Sequence, residues 1–155
     1  MERGAAVNLT RRNLIAAALA TLLPWQSRAQ GRDLAVLVTA DPDSYAALAT
    51  IEVRKLFLGF TIVYNGSVLQ PVRNRSDELL DQVFLQHVVS MSADVYERRL
   101  LALSLRQGRA RPREVRSRDE LLRVLKSVRH SVSYAWQDDV AGLSDIHVVR
   151  TIWRA

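Results

Sequence analysis

The sequence contains no cysteine. Disulfide bonds, thiolate metal sites, iron–sulfur clusters, catalytic thiols and a lipidated cysteine are therefore excluded, so the fold depends on its apolar core. Lysine is almost as scarce, because Lys55 and Lys126 are the only two among 22 basic residues. The 155 residues are 48% apolar and 25% charged. This composition is typical of one globular domain and excludes a collagen-like, mucin-like or wholly disordered chain.

The N-terminal apolar run is too short for a permanent membrane span. It covers about ten residues, Leu14–Leu23, whereas a transmembrane helix needs roughly 20. Arg11 and Arg12 precede it, and small residues at 27 and 29 follow it. This pattern predicts a signal peptide over residues 1–29, of the twin-arginine type, cleaved near Ala29. The same run also suits the general secretory route. We expect residues 30–155 to form one periplasmic domain.

Removal of that segment halves the net charge. The formal charge of +6 falls to +3, with 18 basic and 15 acidic residues left. The basic loop at residues 109–113 has no interleaved aromatic residues on which bases could stack. Export and the small remaining charge argue against a nucleic-acid-binding protein.

The residue pattern predicts a mixed α/β domain. Leu34–Val38 is a continuous aliphatic run, typical of a strand that is buried on both faces. The expected order is strand, helix, hairpin, three helices and two strands. The first strand covers 34–38, the first helix 51–58, and the two arms of the hairpin 60–64 and 67–72. Three helices begin after Ser76, Ser92 and Ser117, and the last two strands cover 131–136 and 146–153. The hairpin turns at Asn65-Gly66, and Pro71 suggests an edge or the end of its second arm.

The candidate chemistry does not indicate an enzyme. No G-x-S-x-G motif is present, and His87, His130 and His147 are scattered without metal-ligand spacing. His87 falls on an apolar helical stripe, which predicts a core histidine. The adjacent carboxylates of Asp77 and Glu78 point about 100° apart on a helix and cannot act as an acid–base pair. We expect no catalysis, no metal and no cofactor.

The segment Arg73-Asn74-Arg75-Ser76 is the best candidate for a binding site. Two guanidinium groups precede a serine that starts a helix, and free amides, a hydroxyl and an arginine fork together can hold a phosphate or sulfate. A purely structural serine cap is the simpler alternative. Asp77 and Glu78 favour that alternative, because their carboxylates can occupy the same amides and repel an anion.

Several segments in order resemble the phosphate-binding proteins of phosphate ABC transporters, specifically their short single-lobe members. The matching segments are the strand 34–38, the phrase Leu56-Phe57-Leu58-Gly59, the hairpin leading to Pro71-Val72, then Arg73 and Ser76. Looser matches follow at residues 108–115, 120–128 and 130–134. The resemblance covers roughly residues 34–153.

The resemblance implies a single lobe of a type II periplasmic-binding-protein-like fold, with a mixed sheet flanked by helices. It implies a non-catalytic protein that binds phosphate or a similar oxyanion through Arg73, Ser76 and the amides of Asp77 and Glu78. Thr39, just after the first strand, is an additional candidate hydroxyl. The sequence departs from the family at Arg75, where a glycine is usual, and at the acids Asp77 and Glu78. The alternative is a periplasmic interaction or accessory module with a degenerate ligand site, whose partner is an envelope transporter or sensor.

Overall fold

The computed structural model describes residues 34–41, 45 and 47–155. The expected signal peptide, its paired arginines and its cleavage point at Ala29 lie outside the described residues. None of the described helices combines the length and apolar character that crossing a membrane requires.

The described residues form seven strands and five α-helices. The strands are β1 Leu34–Thr39, β2 Val63–Tyr64, β3 Ser67–Val68, β4 Gln70–Asn74, β5 Arg113–Val115, β6 Ser131–Trp136 and β7 His147–Arg154. The helices are α1 Thr50–Phe57, α2 Glu78–Phe84, α3 Ala93–Gln107, α4 Arg118–Ser127 and α5 Gln137–Val140, and a π-helical turn, Leu85–Val89, extends α2.

Five of the strands form one mixed sheet in the order β5-β4-β6-β1-β7. Strand β4 is parallel to β5 and β6, whereas β1 is antiparallel to β6 and β7. β2 and β3 form a separate hairpin. The expectation of an α/β fold with a mixed sheet flanked by helices is confirmed.

The sheet has an apolar core on each face, as the aliphatic sequence of β1 predicts. Ala35 and Leu37 pack with residues of α1, α2 and α3, whereas Val36 and Val38 pack with residues of α4 and α5. All four side chains are fully buried. Alternate residues of a strand point to opposite faces, so a strand covered on both sides needs an unbroken aliphatic run.

The predicted helix around His87 is corrected by the structure. Leu80, Val83 and Phe84 are buried as expected, but Leu79 is half exposed and His87 is exposed rather than in the core. For His87 the cause is the π-helical turn, which has about one residue more per turn than an α-helix and therefore shifts the side chains after Phe84 relative to a regular 3.6-residue period. Leu79 lies before this turn, in the first turn of α2, at the exposed border of the stripe.

The second arm of the predicted hairpin does not lie at a sheet edge, contrary to what Pro71 suggests. Asn65 and Gly66 form its turn with positive φ, as predicted, but the chain then enters β4, which lies inside the sheet rather than at its edge. Pro71 is accommodated because the neighbouring strand β5 pairs only with Val72, Arg73 and Asn74. Pro71 therefore has no partner on that side that would need its missing N–H.

Candidate functional site

The Arg73 segment lies at the carboxyl end of β4, flanked by the parallel strands β5 and β6. Ligands of α/β proteins usually bind outside the carboxyl ends of parallel strands. A cleft of about 690 Å³ opens here, and loop 108–112 and helix α3 contribute to its walls. Its charged lining comprises Arg73, Arg75 and Arg111, with the acids Glu78, Asp81, Asp94, Glu97 and Glu114. We call it the Arg73 cleft.

Arg73 is buried at the floor of this cleft and is surrounded by carboxylates. Its side chain is only 2% exposed. Its Nε and Nη2 donate to the two oxygens of Asp81 at 3.1 and 2.8 Å, which forms a bidentate pair. Its Nη1 donates to Glu97 and, at 3.4 Å, to Glu114. Each of its terminal nitrogens is therefore already paired within the chain.

Two buried tyrosines complete the network. The Tyr134 hydroxyl donates to Asp81 Oδ1 at 2.6 Å, and the Tyr96 ring lies 4.9 Å from the Arg73 guanidinium carbon. Burial raises the pKa of Tyr134 well above its ordinary value, and the Asp81 charge raises it further. Burial alone would lower the pKa of Arg73, but hydrogen bonds and charge from Asp81, with help from Glu97, raise it. Arg73 is thus firmly cationic and Tyr134 neutral.

Rim contacts link the network to the surface. Glu97 also accepts from Arg111 Nη2, so it bridges a buried and an exposed arginine. Glu114 lies between Arg73 and Arg75, with a distance of 3.3 Å to Arg75 Nη1. The cleft as a whole has three cations and five carboxylates. Its field therefore does not favour an incoming anion while these carboxylates are ionised.

The expected helix start at Ser76 is displaced by one residue. Asp77 caps α2, because its Oδ1 accepts the N–H of Leu80 at 3.0 Å. Asn74 Oδ1 accepts both the N–H of Ser76 at 3.0 Å and its hydroxyl at 2.6 Å. Asn74 thereby holds Ser76 outside the helix, and a carboxylate rather than a hydroxyl serves the helix N-terminus.

The predicted ligand set is only partly brought together. Ser76 and Asp77 line a separate depression to which Arg73 does not contribute, and Glu78 borders both that depression and the Arg73 cleft. Thr39 ends β1 at the opposite end of the strands from the Arg73 cleft, and its hydroxyl donates to the Ser131 carbonyl at 2.8 Å at the start of β6. Arg73 lies near the end of the parallel neighbour β4. Thr39 therefore does not reach the Arg73 cleft.

The sequence interpretation missed the acids that pair with Arg73. Asp81 follows Asp77 by four residues and falls on the same stripe as the buried Leu80 and Phe84. An acid on a buried stripe requires a cation or hydrogen-bond donors, which is a signal that the sequence carries. Glu97 and Glu114 lie far along the chain, and only the tertiary fold places them at Arg73.

The three histidines lie on different elements of the described structure. His130 lies before β6, where its Nδ1 is 3.2 Å from the Tyr45 hydroxyl, and Tyr45 donates to Asp41 at 3.1 Å. His87 is exposed and His147 begins the edge strand β7. Among the described residues no group of three or more histidine, cysteine or acidic side chains has the geometry to hold a metal ion.

Comparisons with known proteins add no assignment. No protein-family model matches the sequence, and neither the curated proteins nor the solved structures include a match.

Proposed function

We propose that the protein is an exported, non-catalytic interaction module of the cell envelope, whose anion site is filled by its own carboxylates. The observation that supports this proposal is the state of Arg73. It is 2% exposed and is held by Asp81, Glu97 and Glu114. An oxyanion would have to displace one of these groups, and the remaining carboxylates would repel it.

The fold supports the architectural part of the proposal. A mixed sheet with a buried antiparallel strand and helices on both faces is compatible with one lobe of a type II periplasmic-binding-protein-like domain. A single lobe covers only one side of a ligand, so it buries less of a small anion than two closing lobes would. Recognition of a transporter or sensor protein of the envelope does not require such enclosure.

Binding of phosphate or a similar oxyanion is the second candidate function. It is favoured by the open cleft at the carboxyl ends of the parallel strands and by the exposed guanidinium groups of Arg75 and Arg111 at its rim. Arginine forks suit planar and tetrahedral oxyanions.

Calorimetry with inorganic phosphate at low salt separates the two functions. If the site is filled, the wild-type chain gives no binding heat, and Arg111→Ala, which changes an exposed rim residue, leaves this result unchanged. Saturable binding that weakens in Arg111→Ala would support the oxyanion function instead. Arg73→Ala is a weaker probe, because it removes a buried charge and disturbs the fold.

Partner binding is tested by site-specific photo-cross-linking in cells. A cross-linker at the exposed Arg75 position is expected to give a discrete adduct with an envelope protein. The same cross-linker at Thr151, an exposed residue of β7, serves as the control. Identical adduct patterns from the two positions would contradict recognition through the Arg73 cleft.

Export is tested separately through the sequence signal. We expect Arg11→Lys with Arg12→Lys to retain the full-length chain in the cytoplasm if the twin-arginine route is used. Normal cleavage of this variant near Ala29 would indicate export by the general secretory route. An unprocessed chain in both the wild type and this variant would contradict export.

A further inference from the structure

The Arg73 guanidinium presents two edges with different surroundings. Asp81 occupies the edge formed by Nε and Nη2, and its side chain is 11% exposed. Asp81 also accepts from Tyr134 within the core. Its single negative charge already balances the charge of Arg73. The remaining donor, Nη1, is directed to Glu97 and Glu114 in the cleft.

Glu97 is the most exposed of the three carboxylates that contact Arg73. Its side chain is 39% exposed, compared with 29% for Glu114 and 11% for Asp81. It extends from the surface helix α3 into the space between Arg73 and Arg111. Because the side chain is long and reaches solvent, rotation about its own bonds can remove the carboxylate from the cleft without moving the backbone.

We propose that Glu97 is an internal competitor that occupies the place of an external oxyanion, a carboxylate or phosphate group, between Arg73 and Arg111. Such a group binds only when the Glu97 side chain swings into solvent. A tethered carboxylate has an effective concentration on the order of millimolar, so a dilute free anion competes poorly. The inference rests on the filled site of the proposed function and identifies which carboxylate can be displaced.

The test compares Glu97→Ala with a matched control, Asp94→Ala. Asp94 lies in the same cleft and one turn earlier on the same helix, but no described contact joins it to Arg73. Both variants remove one negative charge, whereas only Glu97→Ala vacates the place between the two arginines. Calorimetry uses inorganic phosphate and, separately, glutarate, so that a free phosphate is distinguished from a carboxylate such as a partner's acidic side chain.

Glu97→Ala is expected to show saturable binding of at least one of the two anions, at least about tenfold tighter than the detection limit of the wild-type titration, whereas Asp94→Ala is expected to give no binding heat, like wild type. Adding Arg111→Ala to Glu97→Ala should remove the gain, because the anion then loses one of its two guanidinium partners. Glu97→Gln removes the charge and keeps the side-chain shape. It is also expected to bind the anion more tightly than wild type, and it replaces Glu97→Ala in the comparison if Glu97→Ala does not fold.

The outcomes separate this inference from the proposed function. If wild type and both folded Glu97 variants show no binding, the competitor role is wrong and the filled-site function stands. If the anion affinity of Glu97→Ala rises no more than that of Asp94→Ala, the rise comes from the loss of one negative charge anywhere in the cleft, and the inference is overturned. If wild type already binds phosphate tightly, both the filled site and the competitor role are wrong.

Discussion

The buried pair of Arg73 and Asp81 makes the strongest energetic prediction. Arg73→Met keeps much of the apolar side-chain length but removes the charge and all guanidinium donors. Removing one partner of a buried ion pair costs roughly 3–5 kcal/mol, because the other charge is left without compensation. Tyr134 still donates to Asp81, at 2.6 Å in the wild-type chain, so we expect the lower end, about 3 kcal/mol. For a chain of this size the melting temperature falls by roughly 6–12 °C.

The assay is urea unfolding followed by tryptophan fluorescence, with Arg75→Met as the matched control. Arg75 is 43% exposed and its pair with Glu114 is 3.3 Å long, so its loss should cost less than about 1 kcal/mol. The double variant Arg73→Met with Asp81→Leu should be more stable than Arg73→Met alone, because it removes the stranded charge. A loss below about 1 kcal/mol for Arg73→Met, or equal losses for Arg73 and Arg75, would refute the buried pair.

Three further predictions concern the cap, a glycine and alkaline stability. Asp77→Ala should lower the free energy of unfolding by about 1 kcal/mol and Ser76→Ala by less, because Asp77 caps α2; the reverse order in urea unfolding would restore Ser76 as the cap. Gly59 and Gly66 have nearly equal φ, +80° and +79°, but a Cβ on Gly59 would lie 2.6 Å from a backbone oxygen, whereas Gly66 has open space. Gly59→Ala should therefore be the more destabilising by at least about 1 kcal/mol, and equal losses would contradict the close approach. Burial and Asp81 raise the pKa of Tyr134, so the contribution of its neutral hydroxyl to the free energy of unfolding is complete below about pH 10 and is lost as the pH rises further. Tyr134→Phe should therefore reduce the slope of the unfolding free energy against pH above about pH 10. An unchanged slope would contradict a contribution of Tyr134 to alkaline unfolding.

Much of the fold follows from local sequence patterns. The aliphatic run of β1, the Asn65-Gly66 turn and the caps at Ser92 and Ser117 each depend on a few neighbouring residues, and the structure contains all of them. The strand β5 was missed, because its three residues, within an arginine-rich stretch, show no alternation and pair only with β4. Strand pairing is a tertiary property that a short segment does not encode.

The π-helical turn shows a second limit of sequence reasoning. A 3.6-residue period extended through His87 predicts a buried histidine, but one π turn changes which residues face the core. The stripe is correct at Leu80, Val83 and Phe84, but Leu79 is half exposed and His87 is exposed. No composition signal at Leu85–Val89 marks the extra residue, so the error comes from assuming a constant period.

At the candidate site the sequence identified the cation but not its partners. The sequence pattern predicts an anion ligand at Arg73, yet the fold supplies Asp81 from α2, Glu97 from α3 and Glu114 from β5. The first of these was visible as an acid on a buried stripe. The other two depend on how helix α3 and strand β5 lie beside β4, which local periodicity does not determine.

Asp81 and Glu97 differ most in exposure among the carboxylates that contact Arg73, and we expect Asp81 to affect stability and Glu97 to affect binding. Asp81 is held by both Arg73 and Tyr134 in the core, so its removal weakens the fold whatever the cleft binds. Glu97 contacts the other edge of Arg73 from a surface helix and shares its charge with exposed Arg111. Because Asp81 alone neutralises Arg73, the charge of Glu97 is not needed to keep Arg73 buried. Under the proposed competitor role, loss of Glu97 is therefore expected to raise anion affinity while the fold keeps its buried ion pair, which Arg73 variants cannot achieve.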